Sequence, residues 1–219
     1  RMRDVLRKME TGLTACGFDV FQIDHEDASG QYELNYHYSD ALQAADRFTL
    51  FKMAVSHIAE EAGLAFTLMP KPFADRPGSG LHLHLSLTDN DGNAVMADKA
   101  DSHGLSTAGR QIAAGLLAHS AALAAFHAPS VNSYKRLVIG RSLSGTTWAP
   151  AHIGWGYNNR TTVLRTVANR MEFRLTDGSS NVYLALASTI AAMLDGVEQN
   201  LTPPAPIDED RYDSDEAEF

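Results

Sequence analysis

The sequence predicts an α+β domain in which a mainly antiparallel sheet is covered by helices on one face. Three observations carry that expectation: strand-like segments separated by glycine turns, long stretches with apolar residues at helical spacing, and strands that alternate ionisable with apolar residues. Residues 1–15 read as a helix and residues 18–24 as a strand. After Gly30, residues 31–37 alternate, with Glu33 on the polar face and Leu34 and Tyr36 on the other. Ser39 and Asp40 are candidate caps for a helix whose stripe is Ala44, Phe48, Phe51, Val55 and Ile58, and Gly63 ends it. Residues 64–69 read as a strand, 70–80 as a Pro/Gly loop, and 81–88 as a strand closed by the hairpin signal Asp91-Gly92. A further helix carries Ile112, Leu116, His119, Leu123 and Phe126, with His119 expected to be packed or locally bonded. Strands over 161–167 and 170–175 follow. A last helix over 181–197 places Tyr183, Leu186, Ile190, Met193 and Val197 on one stripe.

With 219 residues, 44% hydrophobic and 21% charged, the chain suits one sizeable domain, and fibrous or largely disordered readings are excluded. A single cysteine, Cys16, permits neither an internal disulfide nor a multi-cysteine zinc site, which fits a reducing, cytoplasmic compartment. No apolar run approaches the roughly 18 to 20 residues of a membrane span. The opening Arg-Met-Arg-Asp has neither an initiating Met nor a signal core, so it reads as a start inside a longer protein. The net charge of −9 argues against nucleic acid and anionic membranes as partners, yet it is unevenly spread. Residues 208–219 alone carry −6 after a proline-rich stretch and are expected to leave a 1–207 domain as an acidic tail. Residues 135–174 carry +6: Lys135, Arg136, Arg141, Arg160, Arg165, Arg170 and Arg174 share one acid, Glu172. Such a block needs solvent or a bound anion.

Alternation sharpens that block. In Leu81-His82-Leu83-His84-Leu85 both imidazoles project to one side, and in Arg170-Met171-Glu172-Phe173-Arg174 the charged residues share a face. An ordinary solvated sheet face explains either strand alone. Together with Glu26 and Glu33 they form a set of carboxylates and imidazoles without thiolates, the ligand set of Mg²⁺ or Mn²⁺. Adjacent arginines supply forked donors for phosphate or carboxylate, and a polyphosphate substrate needs both kinds of charge neutralisation. The loop Arg76-Pro77-Gly78-Ser79-Gly80 delivers the chain to His82 with backbone groups available to a ligand.

Six ordered motifs resemble the glutamine synthetase family: His25-Glu26-Asp27-Ala28-Ser29-Gly30-Gln31-Tyr32-Glu33, Met69-Pro70-Lys71-Pro72, Gly78-Ser79-Gly80-Leu81-His82-Leu83-His84, Asn132-Ser133-Tyr134-Lys135-Arg136-Leu137, Asn159-Arg160 and Arg170-x-Glu172-x-Arg174. The resemblance spans roughly residues 18–190. It implies a catalytic domain with a curved antiparallel sheet, part of a homo-oligomeric ring, and an ATP-dependent ligase joining glutamate's side-chain carboxylate to ammonia or a primary amine. It further implies metal ligation by Glu26, Glu33, His82 and Glu172, and glutamate binding by Gly78, Arg136 and Arg174. By the same resemblance Arg160 stabilises the transferring phosphoryl group, while Arg165, Arg170 and His84 meet the nucleotide phosphates.

Three departures from the family pattern stand out. A carboxylate pair from an upstream strand and the small amino-terminal domain are absent, so this chain alone is expected to hold an incomplete, inactive site. Trp148, in Thr147-Trp148-Ala149-Pro150, occupies the place of the flap glutamate that takes a proton from ammonium in ammonia-specific members. An indole cannot be that base, and the pattern is more similar to relatives that make γ-glutamyl amides from methylamine or other primary amines. Pro77 stands where many members have Asn. The competing readings are a non-catalytic, structural or nucleotide-binding relative and a simple metal-binding module, the latter leaving the arginines unexplained.

Overall fold

In the computed structural model, which describes residues 2–142, 145–167 and 169–213, the chain forms two units, Arg1–Leu68 and Met69–Phe219. The first unit comprises helix α1 (Met2–Ala15), strands β1 (Val20–His25) and β2 (Tyr32–Tyr36), and helix α2 (Ala41–Glu61). The two strands pair antiparallel, with Asp24 opposite Glu33. Asp40 caps α2 by accepting from the Gln43 N–H, and the apolar stripe Phe48, Phe51 and Val55 packs with Val5, Met9 and Leu13 of α1 inside this unit. Gly63, at φ +69°, closes the helix as its sequence position implies. Residues 64–69, expected as a strand, are irregular.

The second unit contains β3 (Leu83–Leu85), α3 (Thr107–His127), a short helix α4 (Val131–Tyr134), the two-residue strands β4 (Arg141–Ser142) and β5 (Gly145–Thr146), then β6 (His152–Tyr157), β7 (Thr162–Val167), β8 (Arg170–Phe173) and α5 (Val182–Glu198). Its main sheet has the order β3-β8-β7-β6. The β3–β8 and β7–β8 pairings are antiparallel, while β6, which the periodicity does not reveal, runs parallel to β7. The four residues 158–161 between them are far fewer than the dozen or more usual between parallel neighbours, and the connection opens at Asn158 with φ +54°. The strand expected over 81–88 is confined to its centre, because only Leu83–Leu85 finds a ladder partner on β8.

Met171, Phe173 and Leu175 point from β8 and its continuation into a core shared with Trp155, Leu164, Ile112, Leu116 and Leu123. Helix α3 lies on β6 and β7, and α5 packs against α3. The expected stripe on α5 is corrected here: Ala185, Thr189, Ala192, Met193 and Gly196 are buried, whereas Tyr183, Ile190 and Val197 are exposed. The reason is backbone proximity, since a Cβ on Gly115 would lie 2.1 Å from the Ala192 carbonyl oxygen and one on Gly196 2.2 Å from that of Gln111. Small residues make the closest contact, and Tyr183, Ile190 and Val197 are turned away. His119 is locally bonded as expected, to Asp195 at 2.8 Å, but it is half-exposed, and the buried core histidine is His127.

The chain beyond α5 does not leave the second unit at residue 208. Trp155 Nε1 donates to the Pro204 carbonyl (2.8 Å), the Ile207 N–H to the Trp155 carbonyl (2.8 Å), and Asn159 Nδ2 to the carbonyls of Ile207 and Glu209 (2.8 and 2.9 Å). A 3-10 turn, Arg211–Asp213, follows; tail residues 214–219 lie outside the described residues. Among the described residues no helix is long and apolar enough to cross a membrane.

His127 is fully buried; one ring nitrogen is bonded to Thr176 Oγ1 (2.7 Å) and the other to Thr189 Oγ1 (3.2 Å), with Phe173 edge-on. Burial lowers its pKa from 6.5 to about 4. The folded state therefore resists a proton that the unfolded chain accepts, so stability is intact above pH 6.5 and falls as pH drops toward 4. Denaturant unfolding across this window should show a loss of up to about 3 kcal/mol in the native protein that is missing from the pH slope of His127→Gln.

Candidate active site

Register concentrates the charged residues of the second unit on one sheet face. Glu172 of β8 is opposite His84 of β3 on one side and Arg165 of β7 on the other. Directly paired residues share a face, and residues two apart on a strand do too, so His82, Arg170 and Arg174 join them. Glu172 is only 2% exposed, and its carboxylate is the point of convergence. His82 Nδ1 donates to Oε1 at 2.9 Å, Arg165 Nη1 donates to Oε2 at 2.7 Å, and Arg174 Nη1 also donates to Oε1. Burial alone would raise the pKa of this carboxyl, but the His82 bond and the Arg174 charge hold it well below the usual carboxylate range. Burial, with the nearby charges of Arg174 and Arg136, lowers His82 to about 4 despite its bond to Glu172, so the ring is neutral. Alongside, Arg170 Nε donates to His84 Nδ1 at 3.0 Å, and Arg165 Nε donates to Asn158 Oδ1 at 3.1 Å.

Arg136, 5% exposed, is carried by the turn after α4 and held by backbone carbonyls: its guanidinium donates to Arg174 O (2.8 Å), Leu175 O (3.2 Å) and Thr176 O (3.3 Å). Burial lowers its pKa to about 10, which still leaves it charged at neutral pH. The glycine loop sits directly on it, for a Cβ on Gly78 would meet the Pro70 carbonyl oxygen at 2.6 Å and Arg136 Cγ at 2.9 Å. Asn132, to which the sequence motif attaches no role, sets this loop: its Oδ1 accepts from Lys71 N–H (2.7 Å) and its Nδ2 donates to Lys71 O (2.9 Å). A side-chain amide matching both backbone groups of one residue clamps the loop to the turn that carries Arg136.

Trp148 is 41% exposed and has φ +50°, a left-handed conformation rare for a bulky residue. Arg174 Nη2 donates to its carbonyl at 2.9 Å, which ties the segment to the Glu172 cluster. Arg174 Nε is buried without a hydrogen-bond partner among the described residues, a spare donor in a cationic site. Tyr212, another residue the sequence reading did not place in the site, stacks edge-on against Trp148 with ring centres 5.7 Å apart. Arg160 lies exposed in the 158–161 connection and is not part of the bonded cluster.

In the first unit, Glu26 follows β1 and Glu33 lies on β2 at the mouth of the hairpin turned by Gly30. Burial and then the adjacent Glu33 carboxylate raise the pKa of Glu26. Two carboxylates close enough to compete for a proton suit a divalent cation. In the second unit, His82 directs Nδ1 to Glu172, which leaves the lone pair of a neutral ring on Nε2 for a metal. Glu172 has one of its roughly four lone-pair positions to spare. Among the described residues no three His, Cys, Asp or Glu side chains converge on a single point. Each pair alone matches the sparse protein ligation of Mg²⁺, whose other ligands are usually water and substrate phosphate.

Arg174, 4% exposed, depends on Glu172 for its counter-charge. Glu172→Gln should therefore destabilise the fold by roughly 3 kcal/mol, the cost of an uncompensated buried charge, readable as a lowered denaturation midpoint before any assay of activity.

Residues 1–219 match the family model for the glutamine synthetase catalytic domain. A glutamate–methylamine ligase from Methyloversatilis universalis is 51% identical over 221 residues, covering 100% of this chain and 50% of the relative. A glutamine synthetase from Rhizobium meliloti is 44% identical over 214 residues, covering 97% and 49% respectively. Among solved structures, a GmaS/ADP complex superposes with a TM-score of 0.91 at 43% identity, covering 99% of this chain and 51% of that one, and an apo GmaS gives 0.88 at 41%. The chain thus spans about half the length of the relatives it matches. It belongs to the glutamine synthetase family, matching that family's catalytic domain along its whole length.

Proposed function

We propose that this chain is the catalytic part of an ATP-dependent ligase that condenses glutamate with a small primary amine, and with ammonia as an alternative nucleophile. The supporting observation is the buried Glu172 cluster with Trp148 tied to it through Arg174: a fixed set of cations for anionic substrates, bordered by an indole and not by a carboxylate. Both relatives named above are ligases, in line with a catalytic role and against a purely structural or nucleotide-binding one.

In the proposed reaction an oxygen of glutamate's γ-carboxylate attacks the γ-phosphorus of ATP, the bond to ADP breaks, and γ-glutamyl phosphate forms. The amine nitrogen then attacks the acyl carbon and inorganic phosphate leaves. Arg136 and Arg174, with the spare Arg174 Nε, hold glutamate's carboxylate oxygens beside Gly78; Arg165, Arg170 and His84 hold the nucleotide phosphates. Arg160 stabilises the charge on the moving phosphoryl group. Glu26, Glu33, His82 and Glu172 are the residues that would hold Mg²⁺ or Mn²⁺, whose chemistry there is neutralisation of phosphate oxygens. Trp148 presents an apolar wall to an alkyl group on the amine and helps exclude the water that would hydrolyse the acyl phosphate. The free, exposed Cys16 supports a cytoplasmic setting, and the family resemblance supports a homo-oligomeric ring for the full-length chain.

Two outcomes test this reading in the full-length enzyme. Arg160→Ala should lower kcat on the order of 10²-fold or more with an unchanged denaturation midpoint, and undiminished turnover removes its proposed role. In phosphate-release assays, methylamine or ethylamine should be used at least as efficiently as ammonia; service by ammonia alone refutes the amine assignment.

A further inference from the structure

The segment 204–213 is bound along β6 and the connection that follows it. Beyond the bonds of Trp155 and Asn159 to its carbonyls, Arg211 N–H donates to Thr161 Oγ1 (3.2 Å) and His152 Nε2 is bonded to Arg211 O (3.2 Å). Two glycines of β6 make room for it. A Cβ on Gly154 would lie 2.4 Å from Ile207 Cδ1, and one on Gly156 2.1 Å from the Ile207 carbonyl oxygen. Near its end Tyr212 reaches Trp148: its hydroxyl donates to the Ala149 carbonyl at 2.8 Å and its ring meets the indole edge-on.

Trp148 is thus gripped at three points: Arg174 on its own carbonyl, Tyr212 on the next carbonyl, and the Tyr212 ring on its indole. A tryptophan at φ +50° persists only where its surroundings over-determine it. Arg174 fixes the backbone on the side of the Glu172 cluster, but of these three contacts only the Tyr212 ring fixes the indole. We propose that Tyr212 is a positioning residue that holds the Trp148 indole as the wall for the amine's alkyl group, so that the bound segment 204–213 sets the preference for methylamine over ammonia. This rests on the reading of Trp148 given above. Burial pushes the Tyr212 phenol up to about 12, which keeps its hydroxyl a donor to Ala149 at any working pH.

The test is the ratio of kcat/KM for methylamine to that for ammonia, measured with the full-length enzyme. A pocket contact to one methyl group is worth on the order of tenfold or more. Tyr212→Ala should lower the ratio by about tenfold, chiefly through a raised KM for methylamine, with KM for glutamate and ATP within about twofold of native. Tyr212→Phe, which keeps the ring and removes the bond to Ala149, should give a smaller loss in the same direction. Gly156→Ala, which displaces the segment through Ile207 without touching either aromatic ring, should reproduce the loss. Combining Tyr212→Ala with Trp148→Ala should lower the ratio no further than Trp148→Ala alone. If Trp148→Ala abolishes the preference while the Tyr212 and Gly156 variants retain it, the role of Tyr212 is overturned and that of Trp148 stands. A preference that survives Trp148→Ala overturns both.

Discussion

A carboxylate buried at 2% exposure is expensive unless its charge is met on every side, and Glu172 is met by His82, Arg165 and Arg174. The dependence is mutual. Arg174 is nearly as deeply buried and has Glu172 as its counter-ion, His82 takes its ring orientation from the same oxygen atom, and Arg165 is braced between Glu172 and Asn158. Through Arg174 the arrangement extends to the Trp148 carbonyl, and through the Arg174 carbonyl to the Arg136 guanidinium. Strand pairing fixes all of it, because β8 lies between β3 and β7 and so collects donors from both neighbours. A one-residue slip of β8 would send Glu172 to the core and Met171 or Phe173 into the charged face.

The same economy shapes the rest of the second unit. Gly115 and Gly196 let α3 and α5 meet backbone to backbone, while Gly154 and Gly156 clear a track for the carboxy-terminal segment along β6. In each case the absent side chain lets two pieces of backbone approach more closely than any Cβ allows. The consequence is a carboxy-terminal segment that behaves as part of the domain up to Tyr212, although its composition is that of a solvated tail. Asp208, Glu209 and Asp210 are exposed, and backbone carbonyls, Ile207 and Tyr212 make the attachment.

Legibility in the sequence followed the range of the interaction. Alternation identified the His82 and Glu172 faces because a strand's period of two is local, and the stripe on α2 was readable because that helix buries large side chains. The stripe on α5 was misread because its neighbour approaches through glycine, which makes Ala185, Thr189 and Ala192 the buried residues and leaves Ile190 outside. Strand β6 escaped notice because His152-Ile153-Gly154-Trp155-Gly156 owes its glycines to a segment some fifty residues later in the chain. Asn132 and Tyr212 carried no local signal of these contacts, since an amide clamps a loop and a phenol ring meets a tryptophan only after distant segments have met.

By itself the sequence determined which residues could carry the chemistry: a basic block hidden inside a net charge of −9, two alternating strands with ionisable faces, and ordered motifs that resemble a family of ligases. Those properties are written in residue type and spacing, which chain geometry converts directly into faces. Only the tertiary structure decided that seven cations sharing one acid are tolerable, because it buried that acid where two of the arginines and a neutral imidazole could reach it. It also decided that Tyr212, within an acidic stretch, meets the tryptophan. Hydrogen-bond register and backbone approach are relations between segments remote in sequence, and their energies exist only once the segments are in contact.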